Sequence, residues 1–149
     1  MYTTDHERIA SSAAKKHRFL EVSLPRYLIL SALAGVYVGF GIALIFSLGG
    51  PLATAGSPML KLVMGMSFGI ALTLVIFAGS ELFTGNNMTG VIGGLSRSLT
   101  WTQVAQLNVW SWVGNLIGSL ALAWLVVQSG VLSKGPQAEL IGNVAAMKM

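Results

Sequence analysis

Three long apolar stretches run through this chain and are separated by shorter polar or glycine-rich segments. The first covers residues 28–48 and the third covers residues 103–127, and neither contains a charged side chain. Each is long enough to cross a bilayer core of roughly 30 Å as a helix. The pattern predicts an all-helical integral membrane protein with three spans.

The second apolar stretch, residues 62–95, has a length that suits neither one helix nor two. A straight helix of its 34 residues would be about 50 Å long, whereas two spans would need about 40 residues and a turn. One span that is interrupted inside the membrane fits this length. A carboxylate, a threonine and two asparagines follow a long uncharged run, so we expect the break near residues 81–87.

Polar segments flank the three-span region, which we place at residues 25–128. Residues 1–24 form the N-terminal segment, and residues 129–149 form a polar segment after the third span. Within the region, Gly49-Gly50-Pro51 and Gly56-Ser57-Pro58 predict a loop between the first and second spans.

The N-terminal segment combines apolar residues at helical spacing with both histidines of the chain. Ile9, Ala13 and Leu20 predict an apolar stripe that lies along the membrane surface. His6 and His17 have no partner at metal-ligand spacing, so we expect surface residues and no metal site.

The composition agrees with a membrane protein and excludes every site that requires cysteine. The chain is 54% hydrophobic and only 9% charged, while about a quarter of the residues of a soluble domain are charged. It contains no cysteine, which removes disulfides, thiolate metal sites and thiol nucleophiles. Nothing in the composition implies a cofactor.

The basic residues predict the orientation in the plasma membrane. The net charge of +4 is explained by the positive-inside rule without nucleic-acid binding. An N-terminus in the cytoplasm and a C-terminus outside place six basic residues on the inner side and three on the outer side. The inner residues are Arg8, Lys15, Lys16, Arg18, Arg26 and Arg97, and the outer ones are Lys61, Lys134 and Lys148.

Three hypotheses account for the polar stretch Glu81–Asn87. In the structural one, the polar side chains satisfy backbone groups that a break inside the membrane sets free. In the second, the broken helix lines a solute pathway, because its positive N-terminal end suits an anion. The third makes Glu81 a catalytic acid or base, but no His, Asp or Cys lies in any span to assist it, so we expect no enzyme.

Two further patterns concern how the spans pack. Phe68, Leu72 and Val75 share one face of the second span, and they either contact lipid and helices or form a hydrophobic constriction that excludes hydrated ions. Four GxxxG pairs predict close helix packing within one bundle. They are Gly35/Gly39, Gly65/Gly69, Gly90/Gly94 and Gly114/Gly118.

The stretch "FGIALTLVIFAGSELFTGNNM", Phe68–Met88, closely resembles the signature of the formate/nitrite transporter family. "LAGVYVGFGIALIFSLGG" in the first span and "NVWSWVGNLIGSLALAWLV" in the third resemble the same family. The resemblance extends from about Pro25 onward. It is closest to the nitrite-transporting branch.

This resemblance implies an aquaporin-like fold. Family members have six spans in two inverted three-helix repeats, the second span of each repeat is broken, and protomers assemble as homopentamers with one pore each. The chain corresponds to the N-terminal repeat. The resemblance therefore implies an N-terminal half whose partner repeat lies in a longer protein or in a separate chain.

The resemblance also implies roles for individual residues. Leu72 and Leu82 would form the inner constriction, Phe68 would narrow the path further out, and Thr84 would offer its hydroxyl at mid-pore. Lys148 would draw anions into the outer vestibule. Phe83 lies with Leu82 and Thr84 in the implied broken-helix loop, which would be supported by Glu81, Gly85, Asn86 and Asn87.

The implied substrates are small monovalent anions of weak acids, such as nitrite, formate and hydrosulfide. An anion is costly in a dry apolar neck, so a proton would neutralise it for passage. The family uses a central histidine of the second repeat for this exchange. A different interpretation is a small three-span interaction or assembly protein that uses its GxxxG faces and has no pore.

Overall fold

The computed structural model describes residues 2–147, and the regular structure in this range is entirely helical. The predicted all-helical fold class is confirmed. The helices are α1 (Tyr2–Val22), α2 (Leu24–Thr54), α3 (Leu60–Ala78), α4 (Phe83–Leu95), α5 (Trp101–Ser129) and α6 (Gly135–Ala146).

Three of these helices are long and apolar enough to cross a membrane, namely α2, α3 and α5. Their most apolar windows have mean hydropathies of 2.3, 2.1 and 1.5. The predicted first and third spans lie inside α2 and α5, and each helix extends beyond the predicted range at both ends. The predicted second span is divided between α3 and the shorter helix α4, as a broken span requires.

The predicted loop is wrong at Gly49-Gly50-Pro51, because α2 continues through Pro51 to Thr54. Gly56-Ser57-Pro58 does lie between α2 and α3, as predicted. The two glycines are buried in a helix contact. A Cβ atom at Gly50 would lie 2.7 Å from the backbone nitrogen of Gln137 in α6. The small residues therefore permit close approach instead of making a turn, and the chain leaves the helix only after Thr54.

The chain forms two compact units. The first combines the residues up to Gly35 with Gly79–Gly118, and the second combines Val36–Ala78 with the residues from Ser119 onward. Helix α1, the first part of α2, α4 and most of α5 belong to the first unit.

The hydrophobic core of the first unit includes the apolar face of α1. Ala13 and Leu20 are buried together with Tyr27 of α2 and Leu107 of α5. The prediction that this face lies along the membrane surface is therefore wrong for Ala13 and Leu20. Helix α1 approaches α4 so closely that a Cβ atom at Gly93 would lie 2.9 Å from that of Ala13. The stripe belongs to the protein interior.

The glycine pairs of the first unit allow close packing, as predicted. A Cβ atom at Gly118 of α5 would lie 2.6 Å from the carbonyl carbon of Ala32 in α2. A Cβ atom at Gly90 of α4 would lie 3.2 Å from Cγ1 of Val104 in α5. Gly118 lets two helix backbones meet without an intervening side chain, and Gly90 leaves room for the side chain of Val104.

The glycines of the second unit divide into two groups. Gly39 of α2 faces Leu122 of α5, and Gly41 faces Ala71 of α3, where an added Cβ atom would lie 2.7 Å from that of Ala71. Gly65 and Gly69 of α3 face no atom within 4 Å among the described residues. The predicted packing role therefore fails for Gly65 and Gly69 within residues 2–147.

Replacing Gly118 by Val should destabilise the protein, because the new side chain would overlap the backbone of α2. Overpacking of this kind costs about 1–3 kcal/mol or more, so we expect a clear fall in the apparent Tm of the chain in detergent. Gly142→Val is the matched control, since a Cβ atom there meets no described atom within 4 Å. Equal melting temperatures for the two variants would contradict the close contact.

Candidate functional site

The break in the second span comprises the residues between the end of α3 at Ala78 and the start of α4 at Phe83. Gly79 has a φ of 66°, a left-handed conformation that favours glycine and commonly ends a helix. The break therefore begins before the predicted residues 81–87 and ends at Leu82. Phe83–Asn87 are helical because α4 starts at once, with the backbone N–H of Asn86 donating to the Leu82 carbonyl at 2.9 Å.

The side chain of Asn115 on α5 bonds the backbone on both sides of Leu82. Its Oδ1 accepts a hydrogen bond from the Phe83 N–H at 3.0 Å, and its Nδ2 donates to the Glu81 carbonyl at 2.9 Å. Nδ2 also donates to the Ser31 carbonyl of α2 at 2.9 Å. One side chain thus connects α5, the break and α2.

The main chain of Glu81 has a second anchor in α2. Its backbone N–H donates to the Leu30 carbonyl at 3.3 Å. Together with Asn115, this bond gives protein partners to backbone groups that a break in a helix releases. Irregular backbone survives at membrane depth only where it is buried in protein or lines a water-filled cavity. Protein partners meet the first condition here, so the arrangement favours the structural hypothesis for the polar stretch.

The Glu81 side chain forms an ion pair with Lys16 of α1. The Lys16 ammonium lies 2.8 Å from Glu81 Oε2, and the two side chains are 25% and 9% exposed. Lys16 also donates to Asn86 Oδ1 at 2.9 Å, and Asn86 Nδ2 donates to the Tyr27 hydroxyl at 2.9 Å. A polar network therefore joins α1, the break, the first turns of α4, and α2.

Lys16 is a site residue that the sequence analysis missed. The positive-inside rule had already explained its charge as one of several basic residues before the first span. A sequence signal for the pairing existed, because a carboxylate in an apolar span requires a partner when it is buried. The sequence alone does not choose among the neighbouring cations Lys15, Lys16 and Arg18.

His17 is also buried, at 3% exposure, so the expectation of a surface residue is wrong for it. His17 Nε2 lies 3.0 Å from Gln106 Oε1 of α5, and Nδ1 lies 3.6 Å from Glu21 Oε1. The residue follows Ala10 and Ala13 and precedes Leu20 at helical spacing. That periodicity was the signal for its burial.

The predicted pathway residues around the break have different exposures. Thr84, in the first turn of α4, is exposed, whereas Leu82 and Phe83 are half-buried. Of the four predicted support residues, Glu81 and Asn86 are buried in the network, and Gly85 and Asn87 are half-buried. Their place beside a pore stays a prediction.

The remaining predicted pathway residues lie elsewhere. In the second unit, Phe68 is half-buried and Leu72 is 50% exposed, while Val75 is buried at 6%. The three side chains therefore do not share one environment, because the buried face of α3 runs through Ala71 and Val75. Lys148 lies outside the described residues.

The sequence is similar to known membrane transporters over nearly its whole length. The model of the formate/nitrite transporter family matches residues 3–149. The nitrite transporter NirC of Escherichia coli is 40% identical over 148 residues, which are 99% of this chain and 54% of that protein. A probable formate transporter of Methanothermobacter thermautotrophicus is 41% identical over 116 residues, covering 76% of this chain and 42% of that protein.

A solved structure is similar to this chain in fold. An ion channel of the FNT family has a TM-score of 0.80 and 42% sequence identity, covering 86% of this chain and 50% of that chain. The chain thus spans about half the length of the relatives that it matches. The chain belongs to the formate/nitrite transporter family.

Proposed function

We propose that this membrane protein builds one half of a transmembrane pore for small monovalent anions such as nitrite or formate. A second three-span repeat, in the same polypeptide or in a partner chain, completes the pore, and complete protomers assemble as homopentamers. The N-terminus lies in the cytoplasm and the protein resides in the plasma membrane. The observation that carries the proposal is the break at Gly79–Leu82, which is held by protein hydrogen bonds inside an otherwise apolar span.

The start of α4 suits an anion electrostatically. The N-terminal end of a helix carries partial positive charge, and α4 begins directly at the break with Leu82 as its N-cap, whose side chain cannot cap the helix. Thr84 adds a hydroxyl that is exposed on the first helical turn. Broken membrane helices commonly use this arrangement to bind anionic solutes.

The ion pair removes a charge that would oppose anion passage. A lone Glu81 carboxylate near the path would repel nitrite or formate. Lys16 lies 2.8 Å from that carboxylate, so the pair contributes little net charge to the break. Glu81 then acts as structural support, which leaves the pathway hypothesis and the structural hypothesis compatible with each other.

A proton accompanies the anion in the proposed mechanism. Dry apolar surroundings penalise an ion far more than a neutral acid of the same size. Leu72 and Leu82 are the proposed apolar constriction, and Phe68 narrows the outer part of the path. Formate and nitrite are conjugate bases of weak acids, so protonation lets them cross such a constriction as neutral molecules.

The alternative is an assembly protein without a pore, and one observation fits it as well as it fits the pore. Gly65 and Gly69 face no described atom within 4 Å, and Met66 and Ile70 beside them are exposed. This face of α3 suits a partner helix, which the second repeat of a transporter also provides. An adjacent reading frame that encodes three spans, a broken fifth helix and an intramembrane histidine would support the pore.

The proposed function predicts that this chain transports anions only with a second repeat. We expect liposomes that contain the chain alone to show no nitrite or formate uptake. A hybrid that joins the chain to the second half of the E. coli nitrite transporter should restore uptake, measured as anion entry against protein-free liposomes. Flux through the isolated chain would contradict the half-pore, and a folded but inactive hybrid would contradict the pore.

Lys16→Met should destabilise the protein by leaving the Glu81 carboxylate unpaired. Loss of one partner of a buried pair costs about 3–5 kcal/mol, and the partial exposure of Lys16 reduces this to roughly 1–3 kcal/mol. The double variant Lys16→Met/Glu81→Gln should regain part of the loss, measured as the apparent Tm in detergent. Strictly additive effects of the two changes would contradict the ion pair.

Thr84→Val tests the mid-pore hydroxyl. The change preserves the side-chain size and removes the hydrogen-bonding group, so we expect lower nitrite flux in the hybrid at an unchanged Tm. Thr102→Val in α5 is a control, because its side chain is also exposed and lies in the first turn of a helix without a proposed role in the path. Unaltered flux in Thr84→Val would remove this residue from the path.

A further inference from the structure

We infer that Asn115 is the positioning residue that fixes Leu82 at the constriction and thereby sets the size limit of the pore. The inference rests on the proposed function for its pore, but the geometry around Leu82 stands on its own. Leu82 has φ −82° and ψ 129°, which is extended backbone between two helices. An extended single residue has no neighbouring strand to hold it.

The carboxamide of Asn115 takes the place of such a strand. It accepts from the Phe83 N–H at 3.0 Å and donates to the Glu81 carbonyl at 2.9 Å. These are the groups directly after and directly before Leu82. A residue in a parallel β-ladder bonds its neighbour in the same way, through the preceding carbonyl and the following N–H.

A bond to α2 fixes the carboxamide itself. Its second N–H donates to the Ser31 carbonyl at 2.9 Å. The adjacent Gly114 permits this reach, since a Cβ atom there would lie 3.2 Å from the backbone nitrogen of Ala32. The position of Leu82 is therefore set by two spanning helices and does not depend only on the ends of α3 and α4.

Only a carboxamide of this length can form all three hydrogen bonds. One acceptor and two donors are used, and both donors come from the same NH₂ group. Asp retains the acceptor and loses both donors, and it also brings a negative charge against two carbonyl oxygens. Leu has a similar size and supplies no hydrogen bond.

Asn108 provides a matched control on the same helix. It precedes Asn115 by seven residues, close to two helical turns, so the two share a face of α5. Its Oδ1 is buried and has no hydrogen-bond partner among the described residues. Replacing a buried acceptor without a partner by an apolar group is close to neutral.

The first test uses the 149-residue chain in detergent micelles and needs no transport. Amide hydrogen exchange of Phe83 should accelerate by about tenfold or more in Asn115→Leu, because its acceptor is gone. Exchange at Phe83 should stay unchanged in Asn108→Leu. Unchanged exchange in Asn115→Leu, with an unchanged Tm, would overturn the inference.

The second test measures selectivity in the hybrid with the second half of the E. coli relative. The ratio of acetate flux to formate flux should change by several fold in Asn115→Asp and Asn115→Leu, because Leu82 is no longer held. A loss of folded protein alone would lower both fluxes and leave the ratio constant. A constant ratio together with faster Phe83 exchange would show that Asn115 holds the break without controlling size.

The two tests separate this inference from the proposed function. An unsubstituted hybrid that folds and carries no anion would refute the pore, while the exchange experiment would still report on the Asn115 bonds. An active hybrid with a constant flux ratio would refute only the selectivity role. Thr102→Val in the hybrid serves as a further reference for a substitution outside the break.

Discussion

The structure depends on one constraint, which is that a membrane span with a break must bond its released backbone groups inside the protein. Lipid offers no hydrogen bonds, and an unsatisfied polar group costs several kcal/mol there. The chain meets this constraint with neighbouring helices. Asn115 bonds two backbone groups of the break, and the Leu30 carbonyl accepts a third. The close approach of α2 and α5 at Gly114 and Gly118 follows from the same need.

The N-terminal helix supplies the counter-charge for Glu81. A buried carboxylate without a partner is strongly unfavourable, and no cation lies within α3, α4 or the break itself, apart from Lys61 near the start of α3. Lys16 reaches Glu81 because Ala13 and Leu20 anchor α1 in the core. The polar break thus connects a helix outside the predicted spans to the membrane region.

The lengths of the apolar runs in the sequence made much of the fold predictable. The apolar runs gave α2 and α5, and the excess length of the second run gave the division into α3 and α4. The same runs gave the all-helical class, and the resemblance to a family added the expectation of an aquaporin-like fold. Helix ends were less predictable, because Gly49 and Gly50 look like turn residues while their actual role is a contact with α6.

The site was only partly predictable, because its important bonds cross long distances in sequence. Glu81 and Asn86 were found through polarity inside an apolar run. Their partners Lys16 and Tyr27 lie 59 or more residues away, and a single sequence does not identify which residue supplies the partner. Asn115 was missed for a related reason, since one amide in an apolar span looks like a minor polar interruption.

The N-terminal end of α4 and the Glu81 carboxylate have opposite electrostatic effects on an anion at the break. The start of α4 contributes positive potential that attracts an anion. The Glu81 side chain contributes a negative charge, which would cancel that attraction if it were unpaired. Lys16 neutralises the carboxylate at 2.8 Å, so the helix end keeps its effect. In the proposed pore, structural support and anion attraction therefore coexist at one break only because α1 brings the compensating charge.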